Sequence, residues 1–347
     1  MATLIESTLE VLSGGYILRP ATWDDLVAVT ELINTCSWHD LGVLDLEVDD
    51  LRREWETPGW DLTSATRVVV SPRGQVVAYY EVWDGSNPPV RIQVWGRIHP
   101  QHTGRGLGTR LLAWGVERAR QALPRTPEGA RVSVGVPVWS SLTDARRLFE
   151  ANGFHLVRHY LRMVIDLPEA PSQPTWPEGI AVRSLRRGQD ERRVLQAQRE
   201  SFRDHWGFVE TDFEEYYQRY IKHLDGDPDF DPDLFFIAEQ DGQIAGISLC
   251  WLKLNGEPDL GWVGTLGVLR PWRRQGLGLA LLQHSFVELY RRGQRKVGLG
   301  VDATSLTGAT RLYEKAGMRS DPKYQMSFYE LELRSGVDLS TQKVDSA

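Results

Sequence analysis

The segment SSLTDARRLFEANGF at 140–154 returns as TSLTGATRLYEKAGM at 304–318, with Phe149 in the first copy where Tyr313 stands in the second. A chain that writes one segment twice builds either two similar domains or one fold with internal symmetry, so the repeat constrains the architecture before any other feature does. The likeness runs well beyond that segment. GYILRPATWDDLVAVTELI at 15–33 is answered by GIAVRSLRRGQDERRVLQA at 179–197, each a short β-patterned run that leads through polar residues into a helical pattern. Paired strand patterns follow at 67–70 and 75–83, and again at 234–239 and 243–254, joined by Gly-bearing turns at 72–74 and 240–242. Each half then predicts a strand (91–100; 261–270), a Gly-rich turn and an amphipathic helix (107–123; 277–292). A further strand (131–136; 296–301), the repeated segment as a helix and a last strand (154–166; 324–333) complete it. Hairpins early and strand–helix–strand units late predict an α/β fold of the α+β kind, a mixed sheet present in two copies.

The expected boundaries are an N-terminal domain at 1–167, a linker at 168–178, a C-terminal domain at 179–334 and a polar tail at 335–347. Prolines in LPEAPSQPTWPEG (167–179) remove backbone donors and mark the linker, and the polar SGVDLSTQKVDSA is expected to fray. With 347 residues, 41% hydrophobic and 25% charged, the chain can fill two cores. A net charge of -7 argues against a general phosphate-backbone binder, so no nucleic-acid partner is expected. Cys36 and Cys250 have neither metal-ligand nor redox spacing, and no metal is expected. No apolar run is long enough to span a bilayer, and the first residues lack a basic-then-apolar leader. The expected address is the cytoplasm, with no membrane partner.

RRQGLG at 273–278 stands between an apolar strand and a helix. Glycines at 276 and 278 let a ligand approach the backbone without Cβ atoms in the way. The helix they open offers unpaired N–H groups and the positive end of its dipole, a seat for a pyrophosphate. Arg273 and Arg274 would add charge-assisted contacts to phosphate. TGRGLG at 103–108 holds the same place in the first half, with Gly106 on Gly276, Gly108 on Gly278, and Thr103 on Arg273. Glycine-containing strand-to-helix turns are common in α/β proteins, and neither turn has the dinucleotide or P-loop spacing.

The order strand, R-x-x-G-x-G, long helix, strand, then A-x-x-L-Y-E-x-x-G-M resembles the GNAT superfamily of acetyl-CoA-dependent acyltransferases, and the likeness covers each half nearly end to end. The tandem layout is most similar to the mycothiol synthase family. The resemblance implies acetyl-CoA as co-substrate. Its pyrophosphate would lie on Arg273, Arg274, Gln275, Gly276, Leu277, Gly278 and Leu279, and its pantetheine along Leu266, Gly267 and Val268, where the strand splays from its neighbour. It further implies Tyr313 as the donor of a proton to the departing thiolate. The plainer alternative is an aromatic packed on the sheet, on the apolar face of Ala309, Leu312 and Ala316. Phe149 fills the same space with no proton to give, and Thr103 lacks the charge of Arg273. The first half is therefore expected to be a degenerate catalyst and the second to carry the chemistry. The mycothiol synthase likeness also implies a glutamate base on the strand before the turn, where this chain has Trp262. Glu257, Asp259 and Glu239 are the carboxylates nearby, each equally readable as surface charge.

SFRDHWGFVETDFEEYYQRY at 201–220 offers His205, Trp206 and Phe208 beside Glu210, Asp212, Glu214 and Glu215. These can form a wall for a cationic or polyhydroxylated acceptor, or equally a helix-loop-helix with solvated acids. CSWHDLG at 36–42 is a similar elbow at the matching place, which favours a structural role in both copies. The resulting expectation is an N-acetyltransferase acting on the primary amine of a small molecule by direct transfer in a ternary complex, with His205, Trp206 and Glu239 at the acceptor. A protein or peptide amine acetyltransferase and a non-catalytic acetyl-CoA sensor are the alternatives. The oligomeric state stays open, a monomer included, because a tandem pair can mimic a dimer of single domains.

Overall fold

A computed structural model describes residues 9–305 and 308–342. Their contacts divide the chain into an N-terminal unit, 9–157 with 326–339, and a C-terminal unit, 158–325 with 340–342. The first unit contains β1 (Glu10–Val11), β2 (Ile17–Arg19), α1 (Leu26–Leu41), α2 (Val48–Trp55), α3 (Leu62–Ala65), β3 (Thr66–Val70), β4 (Val76–Trp83), β5 (Arg91–Ile98), α4 (Leu107–Arg120), β6 (Val132–Trp139) and α5 (Thr143–Ala151). After β7 (His155–Asp166) come β8 (Ala181–Ser184), α6 (Glu191–Phe202), α7 (Phe213–Gly226), β9 (Phe235–Gln240) and β10 (Gln243–Trp251). The chain ends with β11 (Gly261–Val268), α8 (Leu277–Arg291), β12 (Lys296–Asp302), α9 (Ala309–Lys315) and β13 (Arg319–Arg334).

In the N-terminal unit the strand order is β1-β2-β3-β4-β5-β6-β13, and in the C-terminal unit β8-β9-β10-β11-β12-β7. Each sheet is antiparallel except for one parallel pair, β5 with β6 and β11 with β12. The last strand of each half thus completes the other half's sheet. Tyr160–Asp166 pairs with Lys296–Asp302, and Met326–Arg334 with Val132–Trp139. This exchange cuts across the contiguous boundaries expected at 167 and 334. Two copies of one domain present equivalent edges and equivalent last strands, so pattern alone cannot assign strand to sheet.

Local chemistry explains the elements. In the hairpin of β9 and β10, Asp241 (φ 51°) and Gly242 (φ 76°) both take positive φ, the conformation a two-residue hairpin turn needs to follow strand twist. Along α8, Leu277, Leu281, Leu282, Phe286 and Leu289 recur at helical spacing and are all buried. They meet Val263, Val297, Leu299 and Tyr313 on one face of the C-terminal sheet. The opposite face packs Val194 and Ala197 of α6 and Leu224 of α7 onto Phe235, Ile237, Ile247 and Leu249. The proline-rich stretch is neither helix nor strand, yet Trp176 packs edge-on against His284 with ring centroids 5.6 Å apart. Nor does the described part of the tail fray. Thr341 N–H donates to Phe208 O at 2.9 Å, and Gly207 N–H to Thr341 O at 2.8 Å. Both cysteines are free and buried. Among the described residues no helix is long and apolar enough to cross a membrane.

Candidate functional site

The parallel ladder of β11 and β12 is short. Only Gly261 with Val297 and Trp262 with Gly298 are paired, after which the strands part. A bulge opposite Leu249 and Cys250 leaves Gly264 outside the register of β10 and β11, which bends β11 as it opens. Past that point Leu266, Gly267 and Val268 still pair with Ser248, Ile247 and Gly246, but on the β12 side they lie beyond the ladder's end. The result is a wedge with backbone polar groups on one wall. A Cβ on Gly267 would collide with Oγ of Ser201, so the last turn of α6 presses directly on this wall.

The turn that follows β11 carries Arg274 at φ 62° and Gly276 at φ 87°, and α8 begins at Leu277. The first helical bond runs from Ala280 N–H to Gly276 O, so the amides before it lie free of the α8 ladder. A Cβ at Gly276 would meet nothing within 4 Å, which makes the mouth of this turn an open cradle. Gly278 sits in ordinary contact range of Leu312 and Val268 and ties the cradle to α9. Leu277 is buried beneath it, and Gln275 closes the turn by donating from Nε2 to Pro271 O at 2.9 Å.

The Arg273 side chain is engaged within the protein. Its guanidinium is ion-paired with Asp204, donates from Nε to Val268 O at 2.9 Å and from Nη2 to Ser201 O at 3.1 Å. Arg270 pairs with the same carboxylate. Their two guanidiniums, Arg270 first, hold the buried Asp204 carboxyl below the usual range. Arg273 is thus a brace between the α6 elbow and the end of β11. The charge missing at Thr103 is that brace, and Thr103 instead donates from its hydroxyl to Pro100 O at 3.0 Å. Arg274 is exposed, and among the described residues it makes no ion pair.

Tyr313 is 8% exposed and belongs to the apolar cluster under α8 and α9. Its hydroxyl has no hydrogen-bond partner among the described residues, and burial pushes its pKa up to about 12. The phenol therefore keeps its proton at neutral pH. In the N-terminal unit Phe149 lines a cavity of about 790 Å³ together with Asp40, Arg97, Ile98, Gly106 and Val138. That wedge opens in the same manner, since β5 and β6 pair only over Arg91–Gln93.

The acceptor residues named from sequence separate. Glu239 is two strands from β11, held by Arg183 from Nε and Nη2 at 2.9 Å each and approached by Arg193 at 3.4 Å. Glu210 is paired with Arg199 and Arg203, Asp212 caps α7 by accepting from Glu215 N–H, and Glu214 is paired with Arg192. Their charges are engaged in folding the elbow. His205 and Trp206, in contrast, directly follow Asp204, whose partner Arg273 donates to the last residue of β11. Phe202 packs on the His205 ring with centroids 4.2 Å apart, and Arg158 lies over the Trp206 ring at 4.8 Å. The Trp206 indole N–H donates to Gln342 Oε1 at 3.0 Å, so the chain's last described residue braces this wall.

Trp262, at the position expected for a glutamate, lays its ring over the backbone of Gly298 and Gly300. Sequence reasoning did not find its neighbours. Arg162 lies over the Tyr324 ring at 3.4 Å and the Trp262 ring at 5.6 Å, and it donates to Glu257 at 2.6 Å. Tyr324 hydroxyl completes the group by donating to Glu257 at 3.2 Å. The paired glycines of KVGLGVD were the available signal, because two glycines on one face of a strand leave room for a large ring.

The acetyltransferase (GNAT) family matches residues 193–318. A mycothiol acetyltransferase of Thermobispora bispora is 31% identical over 261 residues, spanning 73% of this chain and 80% of that protein. Its namesake in Cellulomonas flavigena is 30% identical over 334 residues, 91% of this chain and 88% of the other. Among solved structures, a GCN5-related N-acetyltransferase from Sphaerobacter thermophilus matches with TM-score 0.78 at 36% identity, covering 96% of this chain and 100% of its own. A tandem GNAT protein from the clavulanic acid biosynthesis pathway matches with TM-score 0.66 at 18% identity, covering 91% and 98%, a likeness of fold alone.

Proposed function

Since the chain belongs to the GNAT acetyltransferase family, we propose that its C-terminal unit transfers acetyl from acetyl-CoA to the primary amine of a small molecule, directly and within a ternary complex. The observation that carries this reading is an open amide cradle at Gly276 whose neighbour Gly278 packs on Leu312 of α9, the helix that carries the phenol of Tyr313. The mycothiol acetyltransferase relatives favour a small amine over a protein N-terminus.

The residues present fit acetyl-CoA. Leu266, Gly267 and Val268 offer an unladdered backbone edge to an amide-bearing arm, and a Cβ at Gly276 would project into the space a pyrophosphate needs. Bound there, acetyl-CoA would supply the activated acetyl thioester. The helix N-terminus of α8 neutralises phosphate charge through its amides. Tyr313, largely buried in the α8–α9 cluster, holds its proton until a thiolate develops beside it, which is where a general acid is useful. The elbow of α6, locked by Asp204, Arg270 and Arg273, fixes the wall from which an amine approaches. Neither cysteine suits a covalent intermediate, since burial pushes the thiols of Cys36 and Cys250 up to about 11.

Isothermal titration of acetyl-CoA into wild type, Gly276→Trp and Gly106→Trp tests this. Gly276→Trp is expected to remove both donor binding and turnover. A second site lost only in Gly106→Trp makes the N-terminal cavity a donor site without Tyr313-type chemistry, and wild type that binds no acetyl-CoA ends the proposal.

A further inference from the structure

We propose that His205 is the base that takes the proton from the acceptor amine. The inference rests on reading the C-terminal unit as the transferase, and it fills the role left vacant by Trp262.

Position comes first. Arg273 stands beyond the end of β11 and Asp302 at the end of β12, the two strands that part to form the wedge. Arg273 donates to Val268 O, the last residue of β11, and pairs with Asp204, so the next residue, His205, is held beside the strand end where β11 has parted from β12. It arrives there from the α6 face, four residues after Ser201, which presses on Gly267. Tyr313 reaches the wedge from the opposite, α8–α9 face. An amine entering between them meets the imidazole on one side while the leaving sulfur faces the phenol on the other.

The N-terminal unit supports this placement independently. Matching Asp25, which binds Arg19, to Asp190, which binds Arg183, places Cys36 on Ser201, one residue out of step with the strands before them. Cys36 contacts the end of β5 through its Sγ donating to Ile98 O at 3.4 Å. Four residues on, Asp40 lines the same cavity as Phe149, the counterpart of Tyr313. In that copy the two positions open onto one cavity, with α1 helical through Leu41 where α6 ends at Phe202.

The chemistry is suitable. Both ring nitrogens of His205 lack a hydrogen-bond partner among the described residues. Burial first, then Arg273, lowers its pKa against the opposing pull of Asp204 and Asp302, so the ring is neutral and able to accept a proton at pH 7. Arg270 is engaged with Asp204, and Arg158, stacked on Trp206, approaches Asp302 at 3.5 Å, which leaves no other charge facing the ring unaccounted for among these elements. Of the competing carboxylates, Asp259 is exposed in the loop before β11 and three are engaged. Glu257 binds Arg162 and Tyr324, Glu239 binds Arg183, and Asp302 accepts from Thr304 N–H at 2.8 Å. In the step itself the new C–N bond forms as the C–S bond breaks, an amine N–H proton passes to His205, and Tyr313 gives its proton to the leaving sulfur. Exchange with water then resets both side chains.

The test uses full-length wild type, His205→Ala and His205→Gln with acetyl-CoA and three probe amines, benzylamine, D-glucosamine and L-alaninamide. Coenzyme A release and the acetylated product are followed across pH 5–9. Both variants are expected to lose about 100-fold in kcat/KM with acetyl-CoA affinity unchanged. The acidic limb of the wild-type profile should vanish, and added imidazole should restore part of the rate of His205→Ala. Retention of activity within threefold, or a loss accompanied by neither rescue nor disappearance of the limb, overturns the proposal. Wild type that binds acetyl-CoA yet acetylates none of the three amines counts against the transferase reading instead. His205 is then judged by NMR, where its imidazole must titrate below 6.5 and respond to acetyl-CoA, and failure to do so overturns it.

Discussion

Replacing Tyr313 with phenylalanine separates catalysis from folding more cleanly here than in most buried tyrosines. The ring is 8% exposed and packed in the α8–α9 cluster, and phenylalanine keeps all of that contact. The hydroxyl has no partner among the described residues, so its removal strands no donor or acceptor. Stability should change by no more than about 0.5 kcal/mol, or roughly 1–2 °C in Tm for a domain of this size. Turnover should fall about 100-fold or more, since a positioned general acid contributes about that much, which corresponds to ~2.7 kcal/mol of barrier. Coenzyme A release measures kcat, calorimetry measures acetyl-CoA affinity, and thermal melting measures stability. The pH behaviour has a definite sign. Because burial raises the folded-state pKa to about 12, the phenol stays a donor through pH 10, and any alkaline limb below that belongs to another group. Its contribution to stability is complete below the unfolded value near 10 and is lost as pH climbs from there toward 12. A variant with kcat within threefold of wild type refutes the acid role. A fall in Tm of more than about 5 °C would show that the hydroxyl has a structural partner after all.

Two further substitutions probe the frame. In the N-terminal unit Glu81 accepts from Tyr79 at 2.6 Å and Trp83 at 3.0 Å, and burial together with the Glu81 carboxylate pushes Glu54 up to about 8. The folded state keeps that proton after the unfolded chain has released it, so stability should fall as pH rises from 4.5 to 8, at most about 1.4 kcal/mol per pH unit. Glu54→Gln should flatten this slope in urea titrations at pH 5 and 8, and an unchanged slope would refute the assignment. Asp204→Asn removes the shared partner of Arg270 and Arg273 and should cost about 1–3 kcal/mol at neutral pH. Because the folded Asp204 pKa is depressed, the wild-type advantage should shrink as pH drops below about 4, and an advantage that persists at pH 2 would refute the ion pair's importance.

What could be read from sequence was whatever is local. The hairpin turn at Asp241–Gly242, the glycine turn before Leu277 and the exchange of Tyr313 for Phe149 depend on residues a few positions apart, and their backbone or proton chemistry follows from residue type. The exchanged strands were illegible because β7 and β13 have equivalent patterns and the two sheets equivalent edges. The ion pair of Arg273 was hidden for a related reason: its partner Asp204 lies 69 positions away, and an arginine beside a phosphate turn reads first as a phosphate ligand. The elbow illustrates the same limit in its chemistry. The two copies read CSWHDLG and SFRDHWGF, so histidine precedes aspartate in one and follows it in the other. That single transposition lets His39 pair with Asp40 at 2.9 Å in the N-terminal unit, whereas in the C-terminal unit the aspartate turns to Arg270 and Arg273 and the histidine is left unpartnered at the wedge. The same two residue types thus yield a self-satisfied pair in one copy and, in the other, a histidine with no hydrogen-bond partner among the described residues. The difference lies in the order of the pair and in Arg270 and Arg273, where the first copy has Pro100 and Thr103.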